Sequence, residues 1–579
     1  MEDPLLLGLV IAVAGVILIV VINTLAQRLG VAGPLLLVAV GLIISLIPLV
    51  QIPAIPPEWI LVGILPPLLY SAAVKLPAIE FRRDFGPIAG MAVVLVLVSA
   101  LVLGVFFWLV IPSVTLPVGI ALGAILSPTD AVATSIVKRL GISPRVVTML
   151  EGESLLNDAT ALVLLRTAVA AIAASFSLWG AIGTFAWGVI AALIIGAAVG
   201  WIVLLLRQWI GGAAANTAIS FCAPFLAYLP TEHLGGSGLV AAVVAGIVAG
   251  QGAHRRLTPE QRLSDNLNWR TIEQVLEGAV FLVMGLELRD IVAQTIADTG
   301  TLWQGIWLAL VALAIVLIVR TGYVSALVWG QGRRASRIDR DRLEHFTERL
   351  DAIGDGSIPF PERMPTDPAR RQRRVDSMRS RVNRMITDLD YYQAQPVGWR
   401  NGTILVWAGM RGVVTLAAAQ TLPREGIDHR ALLVFIAFLV ALISLMLQGF
   451  TLPWLVKILG LANTGEDSPT AGEKTRLDTE LRAASAQALS SGELRKHDGT
   501  PFTGQLTERL RDQMSMPPDD DRSAFAREML ELRLISITAM RRQLATLSHG
   551  GAYSSATLRH ALAELDADEM SLRLRLEDQ

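Results

Sequence analysis

The sequence predicts an all-α polytopic membrane protein of about thirteen transmembrane helices, with a helical cytosolic C-terminal region. Three observations predict it. Apolar residues fill 53% of the 579 positions and charged residues only 17%, against roughly 45–50% and about 25% in soluble domains. The charges are sparse up to about Arg320 and dense in 331–400 and beyond 461. Apolar runs of the length needed to cross a hydrocarbon core of about 30 Å recur along most of the chain.

Those runs lie near 4–26, 31–50, 58–75, 87–111, 116–137, 147–174, 178–206, 214–230, 236–251, 270–288, 302–330, 403–421 and 430–459. The loops between them support the count, because basic residues collect on alternate loops only when the number of spans is right. One set carries Arg28, then Lys75, Arg82 and Arg83, then Lys138, Arg139 and Arg145, then Arg207, then Arg255, Arg256 and Arg262, then 331–400. The other set carries Glu2 and Asp3, then Glu58, then neutral Pro112 to Leu116, then Glu232, then mixed Arg289, Asp290 and Asp298, then mixed Arg424, Glu425 and Asp428. The N-terminus is therefore expected outside and the C-terminus in the cytoplasm of a multi-pass protein of the cell membrane. Met1-Glu2-Asp3-Pro4 lacks the basic stretch of a cleaved signal peptide, so the first run is expected to remain as a span.

The chain thus divides into a membrane part over 1–330, a cytosolic Arg-rich insert over 331–400, a second membrane part over 401–460 and a cytosolic helical region over 461–579. Pro359, Pro361, Pro365 and Pro368 divide the insert into two short helices joined by a kinked linker. Its run Arg370-Arg371-Gln372-Arg373-Arg374 suits either a solvated face or anionic lipid. Helical apolar spacing recurs at Phe525 to Leu547 and Ala556 to Leu576. A net charge of −1 gives no reason to expect nucleic acid, and no phosphate loop or nucleotide fingerprint occurs. The single cysteine, Cys222, reads as a small core residue.

Carboxylates inside spans cost about 2.5–3.5 kcal/mol each on insertion scales, so each needs a reason. They concentrate at Ser127-Pro128-Thr129-Asp130 in the fifth span and Glu151-Gly152-Glu153-Ser154-Leu155-Leu156-Asn157-Asp158 entering the sixth. Pro128 removes a donor and breaks its helix, freeing carbonyls near Thr129 for a cation; the bland reading is a proline kink with Asp130 as a local cap. Ser154 and Asp158, four apart, share one helix face, and Asn157 beside them can hydrogen-bond a neighbouring helix. A carboxylate, a hydroxyl and carbonyls are the oxygen ligands a hard cation takes. Burial favours the protonated form of an aspartate, so one buried carboxylate can hold H⁺ or Na⁺ in turn. Glu151 and Glu153 need counter-charges, and Arg320 and Arg411 in late spans can supply at least one structural bridge. Glu287 is expected at the outer interface.

At these residues the chain resembles the sodium/proton exchangers, monovalent cation/proton antiporters of the CPA1 type. The shared motifs are Leu65-Pro66-Pro67-Leu68-Leu69, Ser127-Pro128-Thr129-Asp130-Ala131-Val132, Glu151 through Asp158, and Gly409-Met410-Arg411-Gly412-Val413-Val414. The resemblance covers about 1–330 and 401–460. It implies a homodimer of thirteen-helix protomers, inverted repeats, crossed broken helices and an elevator movement, with no cofactor beyond the transported Na⁺ and H⁺. It places the ion at Asp158, Asp130, Ser154 and the Thr129 carbonyl, with Asn157, Glu151, Glu153, Arg320 and Arg411 in support. The Asn157-Asp158 pair resembles members that exchange one Na⁺ for one H⁺. The inverted repeats put Arg411 in the second break. Archaeal relatives often carry a glutamate at the position of Ser71, so one carboxylate is missing here. Exchange of K⁺ for H⁺ and a transporter-derived ion or pH sensor are the nearest alternatives; an intramembrane aspartyl protease lacks its signatures.

Overall fold

The structure, a computed structural model, describes residues 4–47, 56–130, 132–173, 178–335, 396–423, 427–462 and 529–540, with short stretches and single residues within 377–392 and 479–576. The chain forms two compact units, Met1–Gly465 and Glu466–Gln579. Of the second, residues 529–540 are helical. The two predicted helices of the insert lie outside the described residues, as does most of the predicted C-terminal helical spacing.

Among the described residues of the first unit the regular elements are all helices. Its elements are α1 (Pro4–Leu29), α2 (Gly33–Ser45), α3 (Trp59–Lys75), α4 (Ala78–Arg83), α5 (Phe85–Val110), α6 (Leu116–Leu126), α7 (Val132–Arg139), α8 (Pro144–Ala173) and α9 (Leu178–Trp209). There follow α10 (Ala213–His233), α11 (Gly238–Arg256), α12 (Pro259–Leu286), α13 (Leu288–Thr299), α14 (Trp303–Ala335), α15 (Trp399–Trp407), α16 (Val413–Gln420) and α17 (Arg430–Ile458). Among the described residues, six helices are long and apolar enough to cross a membrane, and several others are shorter and apolar.

The outward faces are apolar, as a lipid-facing protein requires. On α1, Leu9, Val13, Val16, Ile17 and Val20 are all exposed. Trp179 and Trp209, at opposite ends of α9, are 81% and 82% exposed. About thirty helical residues separate them, roughly 45 Å, the thickness of a bilayer with its headgroup regions, so both indoles reach the interfaces that tryptophan favours. The same outward-facing surface corrects the reading of Cys222: it is exposed on α10 rather than packed in the core. An apolar run in a membrane protein is apolar on every side, so periodicity does not mark its core face.

Helices α9 and α11, α5 and α6, α3 and α11, and α2 and α12 pack side by side. Lipid supplies no hydrophobic drive for helix association, so close backbone approach has to do it. Gly41 of α2 and Gly285 of α12 show this. A Cβ at Gly41 would lie 2.6 Å from the Leu282 carbonyl oxygen and 2.9 Å from Gly285 Cα. α12 also begins eleven residues before the predicted span at 270, because Thr258 and Gln261 form a reciprocal capping box ahead of Pro259.

A polar clamp holds the base of α8. Arg145 forms a buried ion pair with Asp84, its Nη2 donating to Oδ1 at 2.9 Å. The Tyr391 hydroxyl donates to Asp84 at 3.2 Å and the Tyr392 hydroxyl to the Arg83 carbonyl at 2.8 Å, with the Arg145 guanidinium over both rings. The end of the insert is thereby tied to the foot of the helix that carries Asp158. Burial, followed by the Asp84 carboxylate, pushes the Tyr391 phenol well above its ordinary value and keeps it a donor.

The glycine contact makes a testable prediction. Gly285→Ala should cost about 1–3 kcal/mol through overpacking, read as a lower midpoint in thermal unfolding in detergent. Gly183→Ala, with nothing within 4 Å of its Cβ position, should leave the midpoint unchanged or slightly raised.

Candidate ion-binding site

The site begins with two interruptions. α6 stops at Leu126, Pro128 through Asp130 lie in no helix, and helix resumes at Val132. α15 stops at Trp407 and helix resumes at Val413 after Gly409-Met410-Arg411-Gly412. An interrupted helix leaves polar backbone that lipid cannot satisfy, and here each break satisfies the other. The Asp130 N–H donates to the Met410 carbonyl at 2.8 Å, and Arg411 Nε donates to the Leu126 carbonyl at 3.1 Å. The Arg411 N–H donates to Ser444 Oγ of α17 at 2.9 Å. Glycine is required at 412, since a Cβ there would collide with the Asp130 carboxylate.

α8 passes alongside the first break. Asn157, 1% exposed, donates from Nδ2 to Thr129 Oγ1 at 2.6 Å, fixing the distance between them. Glu151, Ser154, Leu155 and Asp158 form one stripe of α8 that lines a cavity of about 350 Å³, with Thr129 and Asp130 opposite. Thus Asp158, Asp130, Thr129 and Ser154 meet in one space. Asp158 is 7% exposed and makes no ion pair or hydrogen bond among the described residues. Asp130 does act as a local cap, accepting from the Val132 N–H at 3.0 Å through Oδ1; its Oδ2 lies beside Gly412, and the residue lines the cavity. Capping and a place in the cavity coexist.

A family model described as the transmembrane sodium/hydrogen exchanger matches residues 14–348 and 379–458. The chain belongs to the sodium/hydrogen exchanger family. It is 27% identical to an uncharacterized Na⁺/H⁺ exchanger of Escherichia coli (strain K12), YjcE, over 98% of both chains. It is 26% identical to the Na⁺/H⁺ antiporter ApNhaP of Aphanothece halophytica, covering 74% of this chain and 69% of that protein. Identity is 27% to a sodium, potassium, lithium and rubidium/H⁺ antiporter of Bacillus pumilus (strain SAFR-032), over 79% of this chain and 61% of the other. Its fold is that of the sodium proton antiporter MjNhaP1 from Methanocaldococcus jannaschii, solved at pH 8, with TM-score 0.56 at 16% identity over 79% of this chain and all of that one. It is a multi-pass cation/proton antiporter, a secondary transporter and not an enzyme, with the cations and protons as substrates.

In this exchanger the expected Glu–Arg bridge is present once. Glu153 and Arg320, 1% exposed each, form a bidentate pair, with Nη2 donating to Oε2 at 2.8 Å; Arg320 also donates to the Leu405 carbonyl at the end of α15 from Nε at 2.9 Å. Among the described residues Glu151 takes no arginine; it faces the more exposed Lys138 at 3.6 Å. Arg411 takes no carboxylate among the described residues either, and its guanidinium donates to the Leu126 and Gly409 carbonyls. A helix C-terminus carries partial negative charge, which is why Leu126 can stand in for an acid. Ser71 is 1% exposed, its hydroxyl unpartnered among the described residues, and it sits beside the α3 face that lines the cavity without joining it. Glu287 accepts from Gln420 Nε2 at 2.6 Å at the end of α12.

Sequence reading missed four charges in this wall. Glu273 and Glu277 of α12 line the cavity, Lys75 of α3 pairs with Glu273, and Lys138 faces Glu151. The i, i+4 spacing of two glutamates within the apolar segment after 270 was the available signal. Also missed was Arg166, farther along α8, which donates to Glu232 of α10 at 2.7 Å.

The bridge predicts that Glu153→Gln, by leaving a buried guanidinium uncompensated, should destabilise the protein by about 3–5 kcal/mol. Lys138→Gln removes a largely exposed partner and should cost no more than about 1 kcal/mol. Thermal unfolding of the purified variants checks both.

Proposed function

We propose that the protein exchanges Na⁺ for H⁺ across the cell membrane, one for one, with Asp158 binding either ion in turn. The observation that carries this reading is that Asp158 is buried at membrane depth, opens on a cavity and has no protein counter-charge among the described residues. A buried carboxylate without a partner must take up a proton or a cation. Asp130, the Ser154 hydroxyl and the Thr129 carbonyl complete an oxygen site for Na⁺, while Asn157 and the Glu153–Arg320 bridge hold it in shape.

Joining α6 to α7 and α15 to α16 as single interrupted spans, and setting aside the short α4 and α13, gives thirteen crossings, with α1 starting outside. The cavity then opens toward the side of Lys75, Lys138 and Arg139, the cytoplasmic side by the positive-inside rule. Inverted repeats, a homodimer and an elevator movement of the broken-helix core fit this arrangement. A second reading is exchange of K⁺ as well as Na⁺. It is favoured by the absence of a carboxylate at Ser71 and by the cation range in the name of the Bacillus pumilus relative.

Proteoliposomes holding a pH-sensitive dye test the proposal. Pulses of Na⁺ or Li⁺ should alkalinise or acidify the lumen according to the gradient, and a K⁺ pulse decides the second reading; no response to any of the three rejects antiport. Asp158→Asn keeps the volume and removes the titrating charge. It should reduce exchange by at least about a hundredfold while still inserting and assembling as the parent does, and wild-type flux in that variant assigns Asp158 a structural role only.

A further inference from the structure

The wall opposite Asp158 carries a carboxylate that the two-aspartate scheme does not use. Glu273, Glu277 and Phe281 line the cavity from one stripe of α12 at successive i, i+4 steps. Glu273 is accounted for by Lys75, and Lys138 is turned to Glu151. Glu277 is half-buried and makes no hydrogen bond or ion pair among the described residues. The cations that share a cavity with it are Lys75 and Lys138 in the first and Lys138, Arg139 and Arg270 in the second, and none of them forms an ion pair with it among the described residues. A carboxylate kept within a span solely to hold helices together would show the partner it holds, as Glu153 shows Arg320.

Its position, shared with Ser135, Lys138 and Glu273, bears on its role. Glu277 belongs to a second cavity of about 350 Å³ as well, whose wall includes Asn23, Gln27, Ser135 and Arg270. It therefore stands at the boundary between the space containing Asp158 and a more polar space on the side of Lys138 and Arg139. At about 30 Å³ per water, the inner cavity has room for roughly ten waters. A cation in it keeps much of its hydration shell, and a carboxylate on the far wall can hold that ion through a water.

We propose that Glu277 is an ion-binding residue of the exchange pathway, receiving the partly hydrated cation at the boundary of the two cavities and passing it to Asp130 and Asp158. The inference rests on the antiport reading above. It also explains how the site works without a carboxylate at Ser71: the third acidic group comes from α12 and not from α3. Because Glu277 meets the cation before Asp158 does, its loss should be felt in cation concentration dependence and not in the maximal rate.

The test is Glu277→Gln in proteoliposomes, with the Na⁺ concentration giving half-maximal H⁺ movement measured beside wild type. That concentration should rise at least about tenfold while the maximal rate stays within about threefold. Na⁺-dependent thermal stabilisation of the detergent-purified protein should move to higher Na⁺ by the same factor. Glu277→Asp, which retains the charge on a shorter stem, should restore part of the affinity, and it carries the test should the glutamine variant not fold. A half-maximal concentration within about twofold of wild type, or a fall in maximal rate alone, overturns the proposal. If wild type itself moves no protons with any cation, the antiport reading fails first; if wild type exchanges and Glu277→Gln matches it, only the role of Glu277 fails.

Discussion

A carboxylate at membrane depth has to be neutralised by something. The protein provides that neutralisation for Glu153, through two guanidinium hydrogen bonds from Arg320, and among the described residues withholds it from Asp158. The two residues lie five positions apart on one helix, α8, about 7.5 Å along its axis, and they face different walls. One is made permanently structural by its arginine. In the proposed exchange the other is left for a mobile ion, and the chemistry follows from that difference.

The second requirement is that a cavity beside two interrupted helices survive inside a membrane. Breaking a helix there is costly unless each loose end finds a partner. The two breaks satisfy each other through Asp130 with Met410 and Arg411 with Leu126. Arg411 thereby places a positive charge at a helix C-terminus, and Ser444 of α17 ties the second break to its neighbour. Asn157 then fixes α8 against Thr129. Four elements far apart in sequence are held by a few directional bonds, which leaves the cavity open without leaving it loose.

Much of this was legible in the residues. Pro128 marked the first break because proline removes a donor, and the spacing of Ser154 and Asp158 put them on one face. Asn157 was expected to bond a neighbouring helix, and it does. What escaped was which charge meets which. Glu151 and Arg411 both lacked an obvious partner in sequence, and the structure gives them Lys138 and backbone carbonyls in place of each other. Pairing across helices depends on rotation and depth, which a uniformly apolar span does not encode. For the same reason Cys222 was misplaced, and the start of α12 was set at 270 although the Thr258–Gln261 capping signal stood upstream.

If a single uncompensated carboxylate takes either ion, binding of one must expel the other. Proton release on Na⁺ addition to the weakly buffered, detergent-purified protein measures this directly. The account predicts about one proton released per Na⁺ bound, falling to none in Asp158→Asn. Saturable Na⁺ binding that releases no proton from the wild-type protein would contradict it.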